Sequence, residues 1–313
     1  MSLERELIAW LEQNLPACPP GLVGMGDDAA VLGHRGDRTV VTTDMLTDGV
    51  DFLIDQVEPQ QIGHKSLGVN LSDLAAMAAQ PVAAFVSLVL PQQGSATHSA
   101  LELAISMYRG MIPLAERFEV VIAGGDTNAW DGPLAISITA IGETTLQGPL
   151  TRTGGQVGDQ LLVTGNLGGS ILGRHLTVEP RVNEALELHQ RYQLNAGIDL
   201  SDGLSLDVAR LAKASQVGAV LDLSALPIAD DAHRLCEQDG KSALDHALSD
   251  GEDFELVLAV PADVAEKILA EQPLDIPITR VGQLVETPGL WQQSEAGKPI
   301  PLTPRGFEHQ GDE

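Results

Sequence analysis

The stretch GMGDDAAVL, residues 24–32, places two glycines and two adjacent aspartates directly before a short apolar run. Adjacent carboxylates repel each other and aspartate is a poor strand former, so the arrangement needs something that offsets the repulsion. A divalent cation would do so, because hard cations take oxygen ligands and glycine lets the backbone come close. A solvated turn is the alternative, and it is the better interpretation of this stretch taken alone.

The residues that follow predict a hairpin. A turn at residues 34–37 separates the apolar run from TVVTT, residues 39–43, which is rich in β-branched side chains and ends at Asp44. Pairing of the two runs would bring Asp28 and Asp44 into one neighbourhood. Thr42 and Thr43 would add hydroxyl oxygens there, unless they are present only because threonine suits a strand.

The composition indicates a globular, acidic chain. Its 313 residues suffice for two domains, and with 3% aromatic residues the cores must be built from aliphatic side chains. The formal charge of −26 argues against nucleic acid or an anionic membrane as a partner, but a phosphorylated substrate stays possible because bound metal can reverse the local field. Cys18 and Cys236 form no disulfide or zinc pattern, which fits a reducing cytoplasm. No apolar run is long enough to span a bilayer.

Two further acidic positions fall next to predicted elements of the first half. Residues 59–77 predict a helix in which Asn70 and Asp73, three positions apart, share one face amid apolar neighbours. An unpaired carboxylate is costly to bury, so Asp73 either lies on an exposed polar stripe or is compensated by metal, which we favour. A buried strand over 81–91, a helix over 99–118 and a strand over 120–123 follow, the last opening into GGDT, residues 124–127. Ligand sites of α/β folds lie at such strand ends, although a plain turn is the alternative.

Glycines at 148–158 predict a domain boundary, giving domains 1–147 and 148–313. Arg152 in this segment could contact phosphate, though a surface arginine is the commoner outcome. Strand 160–164 and the loop GNLGGS, residues 165–170, lead into a predicted helix. The loop resembles a phosphate cradle but lacks the lysine and the full glycine pattern of nucleotide-binding motifs.

The second half carries two more acidic stretches. DLSDGL, residues 199–204, opens a helix through residue 214, and GEDFEL, residues 251–256, begins a buried strand. Helix capping explains one polar side chain in the first stretch but not three. Together with the earlier clusters, these carboxylates suit Mg²⁺, which is held by carboxylates and substrate phosphates. Phosphoryl transfer needs mainly positioning and metal charge, so the residues predict a Mg²⁺-dependent enzyme acting on phosphates.

Six motifs in order resemble the thiamine-monophosphate kinase family, which belongs to the superfamily of aminoimidazole ribonucleotide synthetase and selenophosphate synthetase. They are GDDAA at 26–30, TTD at 42–44, NLSDLAAM at 70–77, GGDT at 124–127, DLSDGL at 199–204 and GEDFEL at 251–256. The resemblance implies formation of thiamine diphosphate from thiamine monophosphate and ATP. It also implies an α/β (α+β) two-domain fold, in which strands of the N-terminal domain form a barrel across a homodimer and a C-terminal α/β domain completes the site.

The resemblance also implies roles for individual residues. The Mg²⁺ ligands would be Asp28, Thr42, Thr43, Asp44, Asp73, Asp126, Asp199 and Asp202. The ATP contacts would be Tyr108, Gly125, Asp126, Arg152 and Ser201. The substrate contacts would be Asp51, Glu252 and Phe307, whose ring offers a face to the cationic thiamine rings.

Three features depart from the family pattern. Asp51 stands where a substrate-contacting histidine is expected, Gly169 stands where aspartate is usual, and the segment between Gly173 and Pro180 is short enough to lose a helix. Two other functions remain open on the sequence. The chain could be another ATP-using enzyme of the superfamily with a different small substrate, or a non-catalytic acidic metal-binding protein.

Overall fold

The computed structural model describes residues 30–33, 38–294 and 297–308. The helix predicted over residues 3–15 and the predicted metal ligand Asp28 lie outside these ranges. No helix within the described part is long and apolar enough to cross a membrane.

The first half of the chain builds a five-stranded sheet. Its strands are β1 (Ala30–Gly33), β2 (Arg38–Thr47), β3 (Ala79–Pro91), β4 (Val121–Trp130) and β5 (Ala135–Thr144), in the order β1-β2-β5-β3-β4. All neighbours are antiparallel except β3 and β4. The pairing of Val31 with Val40 confirms the predicted hairpin.

Two helices, α1 (Pro59–Ala76) and α2 (Ala100–Arg117), cover one face of this sheet. The strands alternate accordingly: Ile136, Ile138 and Ala140 are buried against the helices, while their neighbours face outward. The helices cross closely because two glycines lie at the contact. A Cβ on Gly63 would lie 2.0 Å from the carbonyl oxygen of Met107.

The second half builds a seven-stranded sheet in the order β12-β11-β8-β10-β6-β9-β7. Its strands are β6 (Gln160–Thr164), β7 (Ala196–Asp199), β8 (Gly218–Leu221), β9 (Leu256–Val260), β10 (Ile278–Val285), β11 (Gly289–Gln293) and β12 (Pro299–Pro301). Its helices are α3 (Val182–Arg191), α4 (Leu204–Ala214), α5 (Asp230–Asp239), α6 (Ala243–Ser249) and α7 (Ala262–Glu271).

Helix α1 joins the two halves. It packs against α3 and β7 of the second half as well as against its own sheet. Gly68 makes the approach possible, because a Cβ there would lie 2.8 Å from Cβ of Val178. The Ser72 hydroxyl donates to Oδ2 of Asp199 across the junction, 2.6 Å away. The two halves therefore form an α/β fold whose junction brings α1 beside the acidic end of β7.

Two predictions about local structure were wrong, and two strands were missed. The strand predicted over 120–123 continues through Gly124, Gly125 and Asp126 to Trp130, so GGDT lies within the exposed edge strand β4 rather than in a loop. The helix predicted after the GNLGGS loop is replaced by two 3₁₀ turns, Ser170–Leu172 and Arg174–Leu176. Strands β11 and β12 were not predicted. Each described sheet is open, so one chain forms no closed barrel within these residues.

Candidate active site

A cavity of about 630 Å³ opens between the two halves of the chain. The first half contributes the end of β2, the turn that follows it and the α1 side chains Lys65, Val69 and Asp73. The second half contributes the loops after β7 and before β9, together with parts of α5 and α6. Phe307, near the end of the described chain, also lines the cavity.

Carboxylates dominate the lining of this cavity. Eight acidic side chains face two lysines, Lys65 and Lys241, and one histidine, His246. An uncompensated cavity of this kind repels phosphate groups. The eight acids are Asp44, Asp51, Asp73, Asp199, Asp202, Asp239, Asp250 and Glu252.

The sequence around Asp73 places polar atoms of β2 and α1 opposite each other. The Thr42 hydroxyl donates a hydrogen bond to Oδ2 of Asp73. The backbone N–H of Asp44 donates to Oδ1 of Asn70, 3.2 Å away, and Asn70 Nδ2 donates to the carbonyl of Ser66, 3.0 Å away. The shared helix face predicted for Asn70 and Asp73 is confirmed, and it faces the strand that carries Asp44.

An acidic side chain of the helix that follows holds the backbone of the DLSDGL stretch. Oδ2 of Asp207, in the first turn of α4, accepts the N–H groups of Asp202 and Gly203, each 3.0 Å away. The N-cap residue of α4 is Gly203, which offers no side chain for a cap hydrogen bond. Ser201 and Asp202 line the cavity. Arg210 pairs with both Asp202 and Asp207, which fixes the orientation of the loop.

The GEDFEL stretch stands directly on this loop. The N–H of Glu252 donates to the carbonyl of Ser201 at 2.7 Å, and the N–H of Phe254 donates to the carbonyl of Leu200 at 2.9 Å. Gly251, Glu252 and Phe254 all have positive φ, at 74°, 54° and 51°. A backbone strained at two non-glycine positions is typical of functional sites. The turn directs the Glu252 side chain toward the cavity.

The remaining acids of GEDFEL, Asp253 and Glu255, bind groups in and around the GNLGGS loop, residues 165–170, which we call the glycine loop. Asp253 accepts the Gly168 N–H at 2.9 Å and Arg174 Nη2 at 3.0 Å, and Glu255 pairs with Arg181 at 2.5 Å. Burial raises the pKa of Asp253 to about 7, and burial also raises the pKa of Glu255. Both carboxylates lie outside the cavity lining. Asp253 bonds the loop itself, whereas Glu255 accepts from the Thr164 hydroxyl at the strand end before the loop, 2.7 Å away.

Local packing explains why glycine stands at position 169, where the family pattern has aspartate. Its φ is 73°, and a Cβ there would lie 2.4 Å from the backbone nitrogen of Ala232 in α5. The N–H of Gly169 donates to Oδ2 of Asp250 at 3.0 Å. The glycine therefore suits the close packing of α5 on this loop, where a side chain would require a shift of the backbone.

Several cavity residues were not predicted from the sequence. His246 is buried between two acids, with Nδ1 2.9 Å from Asp250 and Nε2 3.2 Å from Oδ1 of Asp239. Lys65 is buried beside Glu252, and Lys241 lies on the opposite side near Asp239. A lysine within the apolar part of α1 was the one available signal in the sequence, because lysine is almost never buried without a partner.

Six predicted site residues of the described part of the chain lie outside the cavity lining. Tyr108 packs against the core from α2, and burial raises its pKa. Thr43 and Asp126 lie on the open face of the sheet, and Gly125 is on the edge strand, where a Cβ would lie 1.7 Å from the Val86 carbonyl oxygen. Arg152 lies close enough to Arg210 to interact with its charge. They are Thr42, Thr43, Tyr108, Gly125, Asp126 and Arg152.

The cavity does collect the other predicted residues from both halves. Asp44, Asp51, Asp73, Asp199, Ser201, Asp202, Glu252 and Phe307 all line it. Across the described ranges, no three His, Cys, Asp or Glu side chains come together as a complete metal site.

Comparison with known proteins agrees with this arrangement. The family model of AIR synthase related protein, N-terminal domain, matches residues 26–144, and that of the C-terminal domain matches residues 149–290. The chain is 44% identical to thiamine-monophosphate kinase of Rhodopirellula baltica over 98% of this chain and 97% of the relative. The chain belongs to the thiamine-monophosphate kinase family.

Two further comparisons, one with a relative and one with a solved structure, also extend over nearly all of the chain. The Escherichia coli K12 enzyme is 35% identical over 92% of this chain and 91% of its own. The solved structure of AaThiL complexed with AMPPCP and TMP superposes with a TM-score of 0.84 at 27% identity, covering 99% of both chains. The family resemblance drawn from the six ordered motifs is confirmed.

Proposed function

We propose that the chain phosphorylates thiamine monophosphate to thiamine diphosphate with ATP as the phosphoryl donor. The observation that carries the proposal is the convergence of motif residues from both halves in one cavity. Family membership supports the choice of substrates, because its relatives are named for this activity. In the reaction, a phosphate oxygen of thiamine monophosphate attacks the γ-phosphorus of ATP in line, and ADP leaves. The converging residues include Asp44, Asp73, Asp199, Ser201, Asp202 and Glu252.

The chemistry of the cavity fits bound Mg²⁺. Eight carboxylates against two lysines would repel two substrates that both carry phosphate. Mg²⁺ keeps several waters and shares phosphate oxygens, so each ion needs only one or two protein carboxylates. When bound, the metal supplies positive charge that offsets the phosphates and the charge developing between them. The residues that would hold it are Asp28, Thr42, Thr43, Asp44, Asp73, Asp126, Asp199 and Asp202.

The chain's other site residues would bind and orient the two substrates. Phe307 is half exposed at the cavity, and its backbone N–H donates to the carbonyl of Asp202 at 2.9 Å, which holds the ring beside the acidic loop. An aromatic face there would stack on the cationic thiazolium ring. The thiamine monophosphate contacts would be Asp51, Glu252 and Phe307, and the ATP contacts would be Tyr108, Gly125, Asp126, Arg152 and Ser201.

A homodimer is part of this proposal. The open face of the five-stranded sheet exposes Phe85 and Val121, by 41% and 63%, and the edge strand β4 has no neighbour on its outer side within the described residues. Exposed apolar sheet surface and a long free edge favour pairing with another chain. Two such sheets would close a barrel around Thr43 and Asp126. Residues 1–147 would then form the dimerising, ATP- and metal-binding domain, and residues 148–313 would complete the active site. We expect the enzyme to act in the cytoplasm.

Two assays test the activity and separate it from the alternatives. Coupled detection of ADP should show turnover with thiamine monophosphate and none with aminoimidazole ribonucleotide precursors. No turnover with thiamine monophosphate would refute the proposal. Calorimetry with Mg²⁺ and a non-hydrolysable ATP analogue should show nucleotide binding, whereas a non-catalytic metal-binding protein would give heat from the metal alone.

A further inference from the structure

Lys65 is the most deeply buried charged side chain at the cavity. It lies in the middle of α1, and its side chain is 1% exposed, yet it belongs to the cavity lining. A buried ammonium group without partners would be costly, so the structure around Lys65 must supply acceptors. Those acceptors come from two loops that are distant in the sequence.

The first acceptor is the carboxylate of Glu252, whose Oε1 lies 2.5 Å from Lys65 Nζ. The second is the backbone carbonyl of Asp51, 2.8 Å from Nζ. One ammonium group therefore ties the turn after β2 to the loop before β9. Both of these segments carry residues that we assign to the substrate.

Glu252 is held so that it can serve two partners. Its backbone is fixed by the hydrogen bond to Ser201 and by a φ of 54°. Its side chain remains 32% exposed toward the cavity while bonded to Lys65. A carboxylate has two oxygens, so one can accept from Lys65 while the other accepts from a ligand.

The nearby imidazole does not compete for this role. His175 donates or accepts at Nδ1 with the carbonyl of Ser170, 2.9 Å away, and it interacts electrostatically with Lys65 and Glu252. Burial lowers the pKa of His175, which favours its neutral form next to the lysine. The positive charge beside Glu252 is therefore that of Lys65.

We propose that Lys65 is a positioning residue for thiamine monophosphate, acting through Glu252 and the Asp51 turn. It orients the Glu252 carboxylate so that the free oxygen accepts a hydrogen bond from the amino group of the substrate's pyrimidine ring. It also holds the turn that contains Asp51, through the backbone carbonyl of that residue. This role rests on the proposed function, and it concerns recognition of the phosphoryl acceptor rather than of ATP.

The test is a double-mutant cycle of Lys65→Met and Glu252→Gln in the full-length protein. Lys65→Met should raise KM for thiamine monophosphate roughly tenfold, because it removes the charge-assisted hydrogen bond that orients Glu252. KM for ATP should stay within about twofold of wild type. In the Glu252→Gln background the same substitution should add less than about threefold, because the two residues act as one unit. The control is Lys267→Met, which removes a lysine from a helix ion pair with Glu271 on the surface.

Several results would overturn the role of Lys65. Equal increases in KM for both substrates, fully multiplicative effects in the double variant, or a Lys65→Met protein with unchanged kinetics each do so. Lys65→Gln, which keeps a hydrogen-bond donor, is measured alongside, and loss of the folded state in both Lys65 variants would assign the residue to stability alone. A wild-type protein without turnover of thiamine monophosphate refutes the proposed function instead, whereas an active wild type with unaffected Lys65 variants refutes only this inference.

Discussion

Asp253 gives the protein a stability that should depend on pH in a predictable way. Its side chain is 1% exposed and accepts hydrogen bonds from Gly168 and Arg174, so it clamps the glycine loop from beneath the cavity. Burial raises its pKa from 3.8 to about 7, despite those donors. Asp253→Asn keeps the size of the side chain and removes the titrating group.

The sign follows from proton binding. The folded protein holds the Asp253 proton more tightly than the unfolded chain, so the contribution to stability is fully present below pH 3.8 and is lost as pH rises through about 7. The pKa difference is about 3 units at about 1.4 kcal/mol each, which gives roughly 4 kcal/mol. The free energy of unfolding of the variant minus that of wild type should therefore increase by roughly that amount between pH 4 and pH 8.

Urea unfolding at a series of pH values measures this difference. The attraction of ionised Asp253 to Arg174 is already contained in the pKa of Asp253, and the remaining difference between asparagine and a protonated carboxyl group is a constant offset. Asp275→Asn, at an exposed position, is the control and should run parallel to wild type. A difference between Asp253→Asn and wild type that stays flat to within about 1 kcal/mol, or that decreases with pH, would refute the reasoning.

Four further substitutions test the site and the packing around it. Asp44→Asn and Asp73→Asn should each lower kcat by roughly 10²–10³-fold in the coupled assay, because each removes a carboxylate that would bind Mg²⁺ beside the phosphates. Circular dichroism should show an intact fold in both variants. Near-normal turnover in both contradicts the metal assignment. Ser72→Ala removes the donor to buried Asp199 and should lower the free energy of unfolding by about 1–3 kcal/mol in urea titrations; an unchanged midpoint would count against that bond. Gly169→Ala should destabilise by about 1–3 kcal/mol, because φ is positive and a Cβ meets the backbone of α5; equal melting temperatures would contradict this.

Local sequence patterns were sufficient for the elements that carry the site. β-Branched residues and the turn at 34–37 predicted the hairpin, and the apolar spacing of residues 59–77 predicted α1 to within a residue of its observed end at Ala76. The spacing of Asn70 and Asp73 also predicted which side of α1 faces the site. These features depend on neighbours in sequence, where propensity and periodicity act directly.

The glycine segments were harder to interpret because glycine is compatible with many conformations. GGDT was expected to end a strand, but β4 continues through it in pairing with β3. Glycine suits position 125 because the Val86 carbonyl leaves no room for a Cβ. GNLGGS was expected to open a helix, but Asp253 and Asp250 accept the N–H groups of Gly168 and Gly169 and hold it as a packed loop. Neither partner could be read from the segment itself.

The interactions that organise the cavity join residues far apart in the chain. Lys65 was visible as a lysine within an apolar helix, but its acceptors at Asp51 and Glu252 follow only from the packing of α1 between the halves. His246 owes its place to Asp239 and Asp250, from the end of one helix and the loop after the next. Such contacts depend on tertiary arrangement, which single-sequence patterns do not specify.

Product analysis by chromatography is the direct test of phosphoryl transfer to thiamine monophosphate. Purified protein is incubated with ATP, thiamine monophosphate and Mg²⁺, and thiamine diphosphate and ADP are quantified with and without a chelator. We expect one thiamine diphosphate for each ADP, and loss of both products when Mg²⁺ is chelated. ADP without thiamine diphosphate, or unchanged product formation in the presence of the chelator, would contradict it.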